Sequence, residues 1–185
     1  MSKQLFSLAA ILCFIAIGAR AGEENPFKNA KVGDFAAYKM SSKMGGMAMD
    51  MENKRTVIKK TDTEVTIEMA TKVMGQENKS TFTVNLNEKY DPRAMNTGKG
   101  DVTIKDLEKG EETITVAGKA LKTTWTKYEI TSKAGAQTVN MKGKAWVCPD
   151  VPLGGLVKSE TEMGAMGAMP GGGTMTMELV DYSNK

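Results

Sequence analysis

A chain of 185 residues with 25 Lys and Arg against 22 Asp and Glu carries a formal net charge of +3. That is enough chain for one domain, and its lysines are scattered singly instead of forming the basic patch of a nucleic-acid binder. It contains no histidine, which removes the commonest general base, the Ser-His and Cys-His nucleophile pairs and every imidazole zinc site.

The first element is MSKQLFSLAAILCFIAIGARAG. Lys3 supplies a positive start, Leu5 to Gly18 an apolar run, and Ala19-Arg20-Ala21 a small-x-small cleavage site, the three parts of a secretory signal peptide. Residues 1–21 are read as the leader, cleaved after Ala21, and 22–185 as a single β domain in the periplasm or secreted. The apolar run is too short to span a bilayer and no second one follows, so no transmembrane segment is expected. Leu12 precedes Cys13 where a lipoprotein signal needs a small residue, so lipidation is not expected. Cleavage removes Lys3 and Arg20 and leaves 23 basic against 22 acidic residues. Cys148 is then the only cysteine, so no internal disulfide can form in an oxidising compartment.

After GEENPFKNAKVG, where Asn25-Pro26 suits the start of one helical turn, apolar and polar residues alternate with a period of two. Val65, Ile67, Met69 and Val73 share one strand face. Phe82, Val84 and Leu86 repeat the pattern, as do Ile114 with Val116, and Met175, Met177 and Leu179. Turn signals at Thr61-Asp62, Gly75-Gln76, Lys109-Gly110, Ala117-Gly118, Ala134-Gly135 and Pro152-Leu153-Gly154-Gly155 divide the chain. The reading gives ten strands, near 34–41, 47–60, 63–74, 79–87, 101–107, 111–117, 120–132, 136–148, 154–163 and 174–182. Asp91-Pro92 suits one short helix in the longest interruption. The apolar face of the seventh strand changes phase between Leu121/Trp125 and Tyr128/Ile130, which predicts a bulge near Lys127. The fold class is therefore all-β: a single curved antiparallel up-and-down sheet, half-barrel or barrel, with little helix. Tyr38, Val65, Ile67, Phe82, Val84, Leu86, Trp125, Trp146 and Leu179 are the expected interior.

No motif supplies catalysis. There is no P-loop, nucleophile elbow or dinucleotide-binding glycine pattern. Asp91, Asp101, Asp106 and Asp150 occur in turns, where Asp bonds to nearby backbone amides, and Cys148 reads as a small buried hydrophobe. A non-enzyme is expected.

The methionines are unevenly spread. MGGMAMDM at 44–51, MGAMGAMPGGGTMTM at 163–177 and Met40 hold ten of the fourteen outside the leader. In a meander every turn from an odd to an even strand lies at one end, so Met44, Met74, Met163, Met166 and Met169 should gather at one rim. Met47, Met49 and Met51 run inward from it, as do Met175 and Met177. If the first and last strands pair, the two clusters become neighbours.

Three functions fit. Methionine fills irregular cores, which is packing with no small ligand. It also makes adaptable apolar surfaces, so Met44, Met47, Met49, Met51, Met163, Met166, Met169, Met175 and Met177 are candidate contacts for an acyl chain or apolar peptide, with no cofactor. Thioethers are soft ligands for Cu(I), and the alternative metal set is Met44, Met47, Met49, Met163, Met166 and Met169. Residues two apart on one strand lie ~6.6–6.8 Å apart, too far for their sulfurs to share an ion without a second loop.

KAWVCPDVPLGGLVKSE from Lys144 to Glu160, followed by TMTMELVDYS at 174–183, resembles the C-terminal strands of small secreted bacterial proteins related to the outer-membrane lipoprotein carrier and sorting (LolA-like) group. The match lies within the C-terminal quarter of the mature chain. The resemblance implies a strongly curved antiparallel sheet whose concave face holds acyl chains and is plugged by helices. Taken together, the expectation is an exported binding protein for a hydrophobic ligand or apolar protein surface, at most peripheral to an envelope membrane.

Overall fold

A computed structural model describes residues 25–44, 46–88, 101–134, 137–164 and 172–183. The period-two segments form nine strands: β1 Phe35–Met44, β2 Met47–Lys60, β3 Glu64–Val73, β4 Gln76–Asn85, β5 Asp101–Val116, β6 Lys119–Ala134, β7 Gln137–Val147, β8 Leu156–Met163 and β9 Gly173–Ser183. They make one curved, unclosed antiparallel sheet in the order β4-β3-β2-β1-β9-β8-β7-β6-β5. No helix is present among the described residues. The first and last strands pair, with Met44 opposite Gly173 and Met40 opposite Met177.

Three details differ from the sequence reading. The expected fifth and sixth strands are one, and Lys109-Gly110 is no turn: Gly110 continues the β5 pairing opposite Trp125. A Cβ on Gly110 would lie 2.5 Å from Trp125 Cζ2, so this glycine makes room for an indole instead of reversing the chain. The irregularity near Lys127 is real but sits in the partner strand, where register shifts between Asp106 and Glu108. Finally, β4 and β5 are the two edges of the sheet and do not pair, so the meander is interrupted once between them. The short helix expected at Asp91-Pro92 lies outside the described residues.

Burial follows the alternation. Ala36, Tyr38 and Met40 of β1, Val65 and Ile67 of β3, Val84 of β4, Met175, Met177 and Leu179 of β9, and Leu86 just beyond β4 are buried. Phe82 and Trp125 are half-buried against this core. Trp146 is buried, but its row of cross-strand partners runs through Lys158, Glu178 and Lys39, the charged side of the sheet. It is covered there by its neighbour Trp125 and by a bond from its Nε1 to Glu112 Oε2, 2.7 Å long. The same row continues through Glu52, Lys72 and Glu77 with the charge alternating strand by strand. Exposed ion pairs such as Lys72–Glu52 contribute little individually. A one-residue slip, however, would carry this whole row into the core, so the pattern holds the register.

The end of the sheet where β1 begins is filled by irregular chain. Asn25 Oδ1 accepts from Phe27 N at 3.1 Å, and Asn25 Nδ2 donates to the carbonyls of Asn85 and Glu88 at 3.0 and 3.1 Å. The segment forms a turn where one helical turn was expected, and it buries Phe27 and Ala30. From the β7–β8 connection come Cys148, Val151 and Leu153. That connection needs its glycines: Gly155 has φ +80, and a Cβ there would meet Cys148 O at 2.7 Å.

Candidate functional site

Strands β1, β3, β6 and β8 run one way and the other five the opposite way, because every neighbouring pair is antiparallel. The β1–β2 and β8–β9 turns therefore share one end of the sheet, as the pairing of Met44 with both Met47 and Gly173 shows directly. Antiparallel partners point to the same face, so the register assigns each methionine a place.

The outermost row reads Met47, Met44, Gly173, Met163, Met141 across β2, β1, β9, β8 and β7. The next contains Met49, Ser42, Met175 and Thr161, and the third Met51, Met40, Met177 and Ser159. Nine methionines thus occupy one face of five adjacent strands at one end of the sheet. Two of the nine, Met40 and Met141, were not among the candidate contacts. Met40 carried a signal in its alternation with Tyr38. Met141 stands alone in the sequence, and only the pairing of β7 with β8 brings it into the row.

The face divides by depth. Met40 and Met177 are fully buried, and Met51, Met163 and Met175 are buried as well, so these five pack the interior. Met44 and Met141 are half-buried. Met47 and Met49 remain 76% and 37% exposed. Met166 and Met169 lie outside the described residues. Met74 does reach the same end, in a turn with φ +50 and 90% exposure. Its strand pairs Val73 with Met51, so Met74, one residue further on, is set back from Met47 by about 10 Å of strand.

An open hollow of about 380 Å³ lies at this rim, bordered by Lys43, Gly46, Glu162, Met163, Gly172, Gly173 and Thr174. Gly173 is one of these residues, and a Cβ there would stand 3.0 Å from Met44 Cγ and 3.4 Å from Met163 Cε. The chemistry available is apolar contact and soft thioether donation. Among the described residues no group of three or more His, Cys, Asp or Glu is placed to hold a metal ion. Cys148 lies at the opposite end, in the β7–β8 connection, and burial pushes its thiol pKa up. A polar chain also enters the core below the methionines: Arg55 Nε donates to Asn53 Oδ1 at 3.1 Å, and Asn53 Nδ2 to Thr71 Oγ1 at 2.9 Å. Sequence alternation alone gave no sign that an arginine belongs on the inner face.

The fold is similar to that of a candidate lipoprotein from Parabacteroides distasonis, with a TM-score of 0.50 and 13% identity over 86% of this chain and 99% of that one. A candidate exported protein with a YmcC-like fold from Bacteroides fragilis matches with a TM-score of 0.48 and 13% identity, covering 85% and 99% of the two chains. A DUF1329 family protein from Desulfovibrio piger is more distant, at 0.27 and 8% identity over 82% and 85%. At such identities a likeness is one of fold and not of activity. No family model matches the chain, and no curated protein matches it in sequence. No helix among the described residues is long and apolar enough to cross a membrane.

Proposed function

We propose that this is an exported, non-enzymatic binding protein that holds an apolar ligand, an acyl chain or apolar peptide segment, against the methionine end of its sheet. One observation carries the reading: nine methionines from five strands share one face, and Met47 and Met49 stay exposed at its rim. Clustered apolar exposure marks interaction surfaces in monomeric proteins, and unbranched thioether chains adapt to ligands of different shape. Burying each exposed side chain would contribute ~1.5–3 kcal/mol. Tyr38, Met40 and Met177 fill the middle of the face, so the ligand belongs at the turn end.

The leader supplies the export signal. The resemblance of residues 144–160 and 174–183 to lipoprotein carrier proteins, and the occurrence of the fold in a candidate lipoprotein of P. distasonis, are in keeping with a place in the cell envelope. The test is titration of the mature chain, residues 22–185, with a fluorescent fatty acid. Replacing Met47 and Met49 together by Ser should weaken binding by tenfold or more, at least about 1.4 kcal/mol, while Met74→Ser leaves it unchanged. Absence of probe uptake by the unaltered protein, or equal loss in all variants, would remove the reading.

A further inference from the structure

The outer face of the sheet carries a row of charges that stops at an edge. Lys39, Glu52, Lys72 and Glu77 lie side by side on β1, β2, β3 and β4, with the sign alternating from strand to strand. Glu77 belongs to the last strand, so a strand added beyond it would continue the alternation by placing a cation opposite. β4 itself, QENKSTFTVN, has two charged residues, Glu77 and Lys79, two positions apart and so on the same outer face. It therefore holds both the acid that ends the row and the base that would extend it.

The two edges of the sheet differ. β5 breaks register between Asp106 and Glu108 and leaves Leu107 exposed, an irregularity of the kind that keeps edge strands from pairing. β4 pairs with β3 without a break from Gln76 to Asn85, contains no proline, and is exposed from Gln76 to Ser80. Among the described residues no strand pairs with its other side, and such an edge is a template for another strand.

We propose that β4 pairs antiparallel with β4 of a second copy of this chain, about a two-fold axis at Asn78, joining two sheets edge to edge. Such an axis, normal to the sheet, passes through one residue and sets outer side chains opposite outer side chains. With Asn78 on the axis, Glu77 of each copy faces Lys79 of the other, and the alternating row runs on across the junction. Opposite charges directly across a strand pair are favourable and like charges are not. An axis at Glu77 or at Lys79 would set that residue against its own copy, and one at Ser80 would leave both charges opposite threonines. On the inner face Gln76 meets Ser80 of the other copy and Asn78 meets itself, all side chains able to donate and accept hydrogen bonds. Within its own copy Lys79 already lies 3.5 Å from Glu68 and 3.8 Å from Glu77, so its ammonium is held on the outer face at this edge. A contact over half of one strand falls short of the ~1,200–2,000 Å² of stable complexes. The pairing is therefore weak and reversible, and dilute chains keep β4 bare.

The junction does not use the methionine face, so its test is separate from that of apolar ligand binding. In sedimentation equilibrium the average mass of the mature chain should rise with concentration from the monomer towards twice that value, and amide exchange at Gln76–Ser80 should slow over the same range. Glu77→Lys sets cation against cation across the junction, and Lys79→Glu sets acid against acid. Each variant alone should associate roughly tenfold more weakly or worse, and an equimolar mixture of the two should recover the association, because acid then faces base at both positions. Asn78→Cys should cross-link to its own copy on mild oxidation, since antiparallel partners stand ~4.5–5.5 Å apart, within a disulfide's reach. A monomeric mass at every concentration, association undiminished in both charge variants, or a mixture no stronger than its components would overturn the proposal. Recovery on mixing cannot come from repaired folding of either variant, so it reads the junction alone.

Discussion

Tyr38 shows how one residue can tie the interior together and set a limit on stability. Its ring lies on the buried face of β1, and its hydroxyl donates to Leu156 O at 3.2 Å, reaching over β9 to β8. Burial pushes its pKa from 10.0 to about 12, opposed in part by the nearby Arg55 guanidinium. Between those two values the unfolded chain loses the phenolic proton and the folded one keeps it, so stability falls as pH rises. The loss from this group is about 2–3 kcal/mol once pH passes the folded value. Lys158 acts in the same direction: its hydrogen bond to Glu160 leads the causes that raise its pKa, so its contribution too is lost at high pH. Urea unfolding from pH 9 to 12 should show this decline, and Tyr38→Phe should flatten most of it. An unchanged slope in that variant would mean that the phenol is not the titrating group.

At the scale of the element, two glycines show why strands β5 to β7 have their form. A Cβ on Gly143 would lie 2.4 Å from both Cζ and the hydroxyl of Tyr128, and Tyr128 is buried. A Cβ on Gly110 would meet the Trp125 ring, which is only half-buried. Overpacking costs ~1–3 kcal/mol when neighbours cannot move. Gly143→Ala should therefore lower the urea midpoint clearly and Gly110→Ala less; the reverse order would mean that the Tyr128 side is the looser of the two. Gly110 was read as a turn because Lys-Gly between two alternating runs has the composition of one. A strand glycine that makes space for a ring on the neighbouring strand looks the same in sequence. The phase change in β6 was legible, but the extra residue that accompanies it lies in β5, since alternation in one strand cannot say which partner carries the bulge.

At the scale of the molecule, two misreadings cancelled. Splitting β5 added one reversal of direction, while the uninterrupted meander overlooked that β4 and β5 lie at opposite edges and run the same way. The methionine turns were therefore placed at the correct common end for a partly mistaken reason. An unclosed sheet also has an uneven distribution of stability. In β4 the residues Gln76 to Ser80 are all exposed on an edge, whereas β1 and β9 sit at the centre with Tyr38, Met40 and Met177 buried. Local opening follows such differences. Amide hydrogen exchange should be slowest around Tyr38–Met40 and Met175–Leu179 and fastest along Gln76–Ser80; equal protection in the two regions would argue that a further contact covers β4.

The sequence by itself determined the all-β class and most of the strands and their buried faces, because these depend on local composition and a period of two that each segment carries within itself. It also isolated the methionine clusters as the unusual feature. Only the tertiary structure decided which methionines meet. Pairing of β1 with β9 placed Met44 beside Gly173 and Met163, kept Met49 one row inward and added Met141 from a strand with no methionine signature. Register is a relation between distant segments, fixed by burying one face of every strand at once, so no stretch of the chain read alone contains it.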